Sequence, residues 1–180
     1  MKKYVICIPA SDDFALATAV LIYSIKKNLR VVDDCDFVVP YNNLNEDSMS
    51  LIRKAHSETM FKPPKNSDFY KHTPRTIYGV GNFDVYLSFE TFSQIGYERS
   101  IYLDADMLCT GDFSDIIEDD KQIIWKFPNL GILIAGKKYL TGQTYDEMVK
   151  AVITTGIKDR PDGDQVTCQT FFSPSNPDVK

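Results

Sequence analysis

The chain is 180 residues long, enough for one domain with a core of its own. Hydrophobic residues make up 43% and charged residues 25%, the balance of a globular rather than a disordered protein. A net charge of −5 with no basic run argues against nucleic acid as a main partner, and no run of about 18 apolar residues offers a membrane span.

The four cysteines, Cys7, Cys35, Cys109 and Cys168, show no paired metal-ligand spacing, and His56 and His72 are the only histidines, so a zinc cage is not expected. Cysteines in or beside apolar runs behave as small hydrophobes, and all four read as reduced thiols of a cytoplasmic protein. Lys2 and Lys3 imitate the start of a signal peptide, but Pro9, Asp12 and Asp13 interrupt the apolar run too early.

In chain order, Lys3–Pro9 reads as a buried strand that runs into Ala10-Ser11-Asp12-Asp13, the chemistry of a helix N-cap. Phe14–Leu29 reads as a helix with Leu16, Ala19, Val20, Tyr23 and Ile25 marking its apolar side and Lys26, Lys27 and Arg30 suiting its C-terminal dipole. This opening is either an ordinary first βα unit or a nucleotide-binding one; the glycine-rich dinucleotide fingerprint is absent. Cys35–Pro40 is a second strand, Ser48–Ser57 a helix and Met60-Phe61 a short third strand. Residues 62–80 hold Pro63, Pro64, Pro74 and Gly79 and read as a long loop, a length that is usually functional or disordered. Phe83–Ile95 is aromatic-rich but helix-compatible, and it stops at Gly96.

The next stretch, Ser100-Ile101-Tyr102-Leu103-Asp104-Ala105-Asp106, carries the chemistry. A short apolar run suits a core strand of an α/β sheet, and ligands of such sheets bind at the carboxyl ends of the strands. Asp104 and Asp106 stand at that end, separated only by Ala105, so both carboxylates can turn toward one hard cation such as Mn²⁺ or Mg²⁺. The same pattern also serves as a turn and a helix cap. Beyond it, Phe113–Ile117 is a single helical turn, Gln122–Trp125 and Leu130–Ala135 are strands, and Thr144–Thr155 is an amphipathic helix. Asp162-Gly163-Asp164-Gln165 opens a last helix, Val166–Phe172, and residues 173–180 are expected to be a disordered tail. In a doubly wound sheet the three polar clusters, at residues 11–13, 104–106 and 162–165, converge on one edge.

Taken with Asn129-Leu130-Gly131 and Thr170-Phe171-Phe172-Ser173, these clusters resemble glycosyltransferases of the GT-A fold, most of all the glycogenin-like family 8, over residues 3–173. The stretches that carry the resemblance are Ile8–Ala15, Tyr97–Asp106, Asn129–Leu133, and Asp164-Gln165 with the residues that follow. The resemblance implies a single GT-A (Rossmann-like) α/β domain over residues 1–180, with a mixed, mostly parallel sheet flanked by helices. It implies a UDP-sugar donor, Mn²⁺ (or Mg²⁺) and transfer of a hexose, glucose or galactose leading, with retention at the anomeric carbon. Asp104 and Asp106 would hold the metal. Ala10 and Ser11 would line the uridine pocket, with Phe14 in place of a stacking tyrosine; Asp104 would also reach the ribose, and Asn129 and Gly131 would border the sugar. Asp164 and Gln165 would contact the sugar at its reacting carbon, with Asp162 beside them or capping the last helix. The acceptor, whether glycan, lipid-linked sugar or protein, is not implied; the loop from Lys62 to Val80 is the candidate for acceptor binding or donor closure, and a homodimer is left open.

The chain also departs from the family. The family's late histidine ligand and the lysine that follows it have no counterpart, and neither His56 nor His72 stands in that place. No basic residue occurs from Thr76 to Glu98, where the family carries one. Two carboxylates, the diphosphate and water would then complete the metal's shell, or the chain is truncated, compact and divergent, or a relative that binds UDP-sugar without transferring it. A haloacid-dehalogenase-like phosphatase is the remote alternative. Leu108 stands where that class wants Thr or Val, and Gly111-Asp112-x-x-Asp115 lies too close to serve as its distant acidic pair.

Overall fold

A computed structural model of the protein describes residues 2–70, 85–126, 130–156, 162–173 and 177–179. β1 (Tyr4–Cys7) is buried at all four positions, as its unbroken apolar run requires of a central strand covered on both faces. A 3₁₀ turn (Asp12–Phe14) leads into α1 (Ala15–Asn28), which returns the chain to β2 (Cys35–Pro40). α2 (Glu46–Ala55) starts two residues earlier than Ser48 because Asn45 caps it, its side chain accepting from the Ser48 N–H at 2.9 Å. β3 (Met60–Lys62) and the short turn α3 (Ser67–Tyr70) follow. Residues 85–93 form a buried 3₁₀ run (Val85–Ser93) where the sequence suggested a helix. Then come β4 (Arg99–Leu103), the turn α4 (Ser114–Ile117), β5 (Ile123–Trp125), β6 (Ile132–Gly136), α5 (Gly142–Thr155) and α6 (Gly163–Phe171).

The strands form one six-stranded sheet in the order β3-β2-β1-β4-β6-β5. β3, β2, β1 and β4 are parallel; β6 runs antiparallel to both β4 and β5. The mixed, mostly parallel sheet expected from the sequence is therefore present. Strand order reverses at β1: β2 and β3 lie on one side of it and β4 on the other. Such a switch point opens a crevice at the carboxyl ends of the two strands that flank it. The residues after β1 and those after β4 stand there.

Two cores sandwich the sheet. α1 and α2 cover one face, against Ile6, Ile101, Leu103 and Ile134. The 3₁₀ run, α5 and α6 cover the other, against Cys7, Tyr102, Leu133 and Ala135. The buried face of α1 is only partly the one its sequence suggested: Ala19 and Ile25 are inside as expected, but three others are not. Ala15, Thr18, Ala19, Leu21, Ile22 and Ile25 are buried, whereas Leu16, Val20 and Tyr23 are 64%, 46% and 63% exposed. The helix packs on both the sheet and α2, and small residues let it approach both, so bulk alone did not mark the inner side.

Two details bear on the site. The segment assigned to a disordered tail bonds at its described end, where the Ile123 N–H donates to the Asp178 carbonyl at 2.9 Å and Val179 bridges to β5; β5 is an edge strand, and its free backbone groups take up the tail. The chain after β4 is pinned to α1. The Cys109 N–H donates to Ser24 Oγ at 3.0 Å, and Asn28 Nδ2 donates to the Cys109 carbonyl at 2.8 Å. Ser24→Ala removes one of these bonds from a buried site, and we expect it to lower stability by about 1–2 kcal/mol. Urea denaturation reads this as a lower midpoint at unchanged slope; an unchanged midpoint would mean that this bond does not hold the loop.

Candidate donor site at the β1–β4 edge

β4 ends at Leu103, and the chain turns at once: the Met107 N–H donates to the Asp104 carbonyl at 3.3 Å. The turn reading of Asp-x-Asp is thus met by backbone alone, and the two carboxylates are left for other work. The Asp104 N–H donates to the Gly131 carbonyl at 3.1 Å, which ties the motif to the start of β6. Asp104 is half-buried and Asp106 exposed at the rim. Side chains two apart on a strand share a face, and Tyr102 Oη donates a short hydrogen bond to Asp104 Oδ1. Burial raises the pKa of Asp104, Asp106 raises it further, and the Tyr102 bond lowers it.

Asp164 comes to the same place from α6. It is buried, with Oδ1 accepting from the Gln165 N–H at 2.8 Å and Oδ2 from Ser88 Oγ at 3.3 Å. Burial is the main force on it, with the charge of Asp104 adding to burial and the Gln165 and Ser88 bonds opposing it; its pKa is pushed up to about 7. Both carboxylates also raise the pKa of Tyr102, after burial. Asp104, Asp164 and Tyr102 therefore share one poorly hydrated space whose charges repel, a space suited to a cation or to developing positive charge.

The other expected residues fall as follows. Ala10 and Ser11 are buried just past β1, and the Ser11 hydroxyl has no hydrogen-bond partner among the described residues. An orphaned buried hydroxyl at a switch point is what a ligand's polar atom would satisfy. Phe14 is half-buried and packs against the α1-face core. Asp162 precedes α6 without a side-chain cap bond; its carbonyl accepts from the Val166 N–H at 3.0 Å. Gln165 is half-buried, and its carboxamide makes no hydrogen bond among the described residues. Asn129, and residues 71–80 of the long loop, lie outside the described residues. Tyr102 and Ser88 were not singled out from sequence. Tyr102 was legible by strand alternation; nothing in the aromatic run around Ser88 points to Asp164.

Among the described residues, no three His, Cys, Asp or Glu side chains are placed to hold a metal by themselves. Asp112 and Asp115, the acidic pair of the phosphatase alternative, are drawn off to Arg30, whose guanidinium meets Asp115 at 3.0 Å and Asp112 at 3.5 Å.

The Glycosyl transferase family 8 model matches residues 5–123, two thirds of the sequence, and the chain belongs to that family. No curated protein matches the sequence. Among solved structures it is similar to the galactosyltransferase LgtC, in complex with donor and acceptor sugar analogues, at 16% identity over 93% of this chain and 70% of LgtC, with a TM-score of 0.74. It is similar to the glycosyltransferase GlyE of Streptococcus pneumoniae at 14% identity over 97% of this chain and 44% of GlyE, with a TM-score of 0.69. It also resembles the mannosyltransferase PcManGT of Pyrobaculum calidifontis, in complex with GDP-Man and Mn²⁺, at 11% identity over 93% of this chain and 51% of PcManGT, with a TM-score of 0.56. At these identities the likeness establishes the fold, the GT-A fold expected from the sequence. The chain spans about two thirds of LgtC and under half of GlyE.

The buried carboxylate has a measurable consequence. A pKa raised above the unfolded value means that the proton favours the native state. That stabilisation is complete below about pH 4 and is lost as pH rises through about 7. Asp164→Asn cannot ionise. In chelator it should exceed the parent in stability by on the order of 1–3 kcal/mol at pH 8, with the difference shrinking toward pH 4. Denaturation midpoints across that range check this; a difference independent of pH would mean that Asp164 is not the titrating group.

Proposed function

We propose that the protein is a retaining, metal-dependent hexosyltransferase that takes a UDP-sugar, glucose or galactose favoured, as donor. The observation that carries this reading is the meeting of Asp104 and Asp164 at the switch point of a family 8 fold, with Asp106 at the rim and the orphaned Ser11 hydroxyl one strand away. The family match, and the complex of PcManGT with GDP-Man and Mn²⁺, support a donor of this class.

The residues fit the parts of such a donor. Ala10, Ser11 and Phe14 lie where a nucleoside would enter past β1, and Ser11 has a hydrogen bond to give. Asp104 and Asp106 would hold Mn²⁺ or Mg²⁺ with hard oxygen ligands. When bound, the ion supplies Lewis-acid neutralisation of the departing diphosphate. Tyr102 fixes one oxygen of Asp104 and leaves the other free. Asp164, held on both oxygens, stabilises the positive charge that develops at the anomeric carbon as its bond to the diphosphate breaks and its bond to the acceptor oxygen forms on the same face, the hydroxyl proton passing to the departing diphosphate. The Gln165 carboxamide orients sugar hydroxyls, with Gly131, Asn129 and Asp162 at the sugar's border. Four unpaired cysteines suit a cytoplasmic setting, and no helix among the described residues is long and apolar enough to cross a membrane.

One observation favours a second reading, donor binding without transfer: among the described residues no third side chain joins Asp104 and Asp106 as a metal ligand. UDP release from a panel of UDP-sugars, with and without Mn²⁺, separates the two. We expect slow hydrolysis of one donor that is abolished by chelator and by Asp106→Asn and lowered by about 10²–10³ in Asp164→Asn. UDP binding without any turnover would favour the second reading, and absence of both UDP and metal binding would overturn the first.

A separate expectation concerns Tyr102. Tyr102→Phe should raise the Mn²⁺ concentration needed for half-maximal UDP binding by about tenfold, the cost of losing an outer partner of a metal ligand. Calorimetric titration of UDP at graded Mn²⁺ reads this, and an unchanged requirement would mean that Asp104 needs no such support.

A further inference from the structure

The donor reading uses one face of the end of β4 and leaves the other unexplained. Tyr102 lies in the core under the 3₁₀ run and α6, with Asp104 bonded to it, whereas Leu103 and Ala105 lie in the core under α1. Between α1 and the chain that follows Asp106 there is a cavity of about 350 Å³, walled by Leu21, Leu103, Met107, Leu108, Phe113 and Ile132. That is the size of a small-molecule site rather than of a flat protein contact.

Its chemistry separates it from the donor. Among the described residues no Lys, Arg or His lines it, and the one charged residue on its wall, Asp112, is engaged by Arg30 and by the Ser114 N–H. A nucleoside diphosphate, with its negative charge, has no partner there; an uncharged apolar group does. The cavity is also continuous with the donor edge along the chain, since Leu103 precedes Asp104 and Met107 follows Asp106. Outside its mouth the apolar surface continues. Leu108 is 60% exposed, and one turn back from Ser24, which holds the loop, Val20 is exposed as well.

We propose that this groove holds the apolar aglycone, an alkyl or acyl chain, of the acceptor whose sugar hydroxyl is presented at the Asp104–Asp106 edge. The inference rests on the glycosyltransferase reading and adds the class of acceptor: an amphiphile, with its sugar at the polar edge and its chain passing over Met107 into the groove.

The test uses the full chain and two probes that share a sugar, octyl β-glucoside and methyl β-glucoside, both below micelle-forming concentration, with binding measured by calorimetry. The octyl compound should bind at least about tenfold more tightly, as burial of several methylenes requires. Two variants leave the donor edge intact. Leu108→Asp places a charge at the exposed mouth. Gly111→Phe adds a ring to the wall at a residue where a Cβ meets no atom within 4 Å. Both should reduce the octyl-to-methyl ratio to about twofold or less while UDP binding is unchanged. Equal binding of the two probes to the parent, or a ratio that survives both variants, overturns the proposal. So does a concentration-dependent dimer that Leu108→Asp dissolves without any octyl preference in the parent, because the groove then belongs to a second copy of the chain. Donor hydrolysis is followed in parallel: failure of the glycosyltransferase reading registers there, and failure of the groove registers in the ratio.

Discussion

The parallel pairing of β1 with β4, from Tyr4 beside Arg99 to Cys7 beside Tyr102, is the constraint on which the rest of this molecule depends. It places two strands that are far apart in sequence side by side, with α1 and α2 on one face and the 3₁₀ run and α6 on the other. Because strand order reverses at β1, a crevice opens at the carboxyl ends of this pair. Ser11 and Asp104 are the residues that the two strands deliver there. The hydrogen bond from the Asp104 N–H to Gly131 extends the same edge to β6. Asp164 reaches it from a separate helix, held by Ser88 of the 3₁₀ run. The sheet pairing thus brings the β1, β4 and β6 ends together, and the docking of α6 on the 3₁₀ run adds Asp164.

The electrostatics of that edge follow from the packing. A chain of net charge −5 gathers Asp104, Asp106 and Asp164 in one place, and burial pushes the pKa of Asp164 up to about 7. Among the described contacts no lysine or arginine side chain is bonded to any of the three. A protein that only had to be stable would gain by replacing such a cluster with neutral groups. Its retention suits a site whose positive charge arrives with a ligand, and the anionic donor we propose can sit there only if a dication comes with it.

How much of this the sequence disclosed depends on whether the signal was local. The strand-to-carboxylate junction at Asp104 was legible because the strand is a continuous apolar run and the carboxylates follow without a break. The order of elements, the sheet class and the family were legible for the same reason, as was the convergence of the segments around residues 11, 104 and 164 at one edge of a doubly wound sheet. The burial of Asp164 and its bond to Ser88 were not, since they depend on how α6 docks across a 3₁₀ run that reads as a helix. The inner face of α1 misled for a physical reason: Ala15, Thr18 and Ala19 are inside because close approach to the sheet and α2 needs small side chains, and Leu16, Val20 and Tyr23 are outside although they are larger and more apolar. The phosphate-neutralising lysine and the histidine ligand of the family have no substitute among the residues described at this edge.

The groove beside α1 and the polar edge are linked by the alternation of one strand. Successive side chains of β4 point to opposite faces. The residues that end the strand therefore give Tyr102 and Asp104 to a pocket lined by carboxylates and Leu103 and Ala105 to an apolar one. The chain then crosses the top of the sheet through Asp106 and Met107 and is fastened to α1 at Cys109 by Ser24 and Asn28. That fastening does two things at once. It fixes the stretch of chain on which both aspartates stand, and it fixes the wall of the groove at Cys109, which also packs against the α1-face core. A sugar at the edge and an apolar chain in the groove would be held by opposite faces of the same few residues, so the position of the acceptor hydroxyl relative to the donor would be set by the geometry of β4 itself.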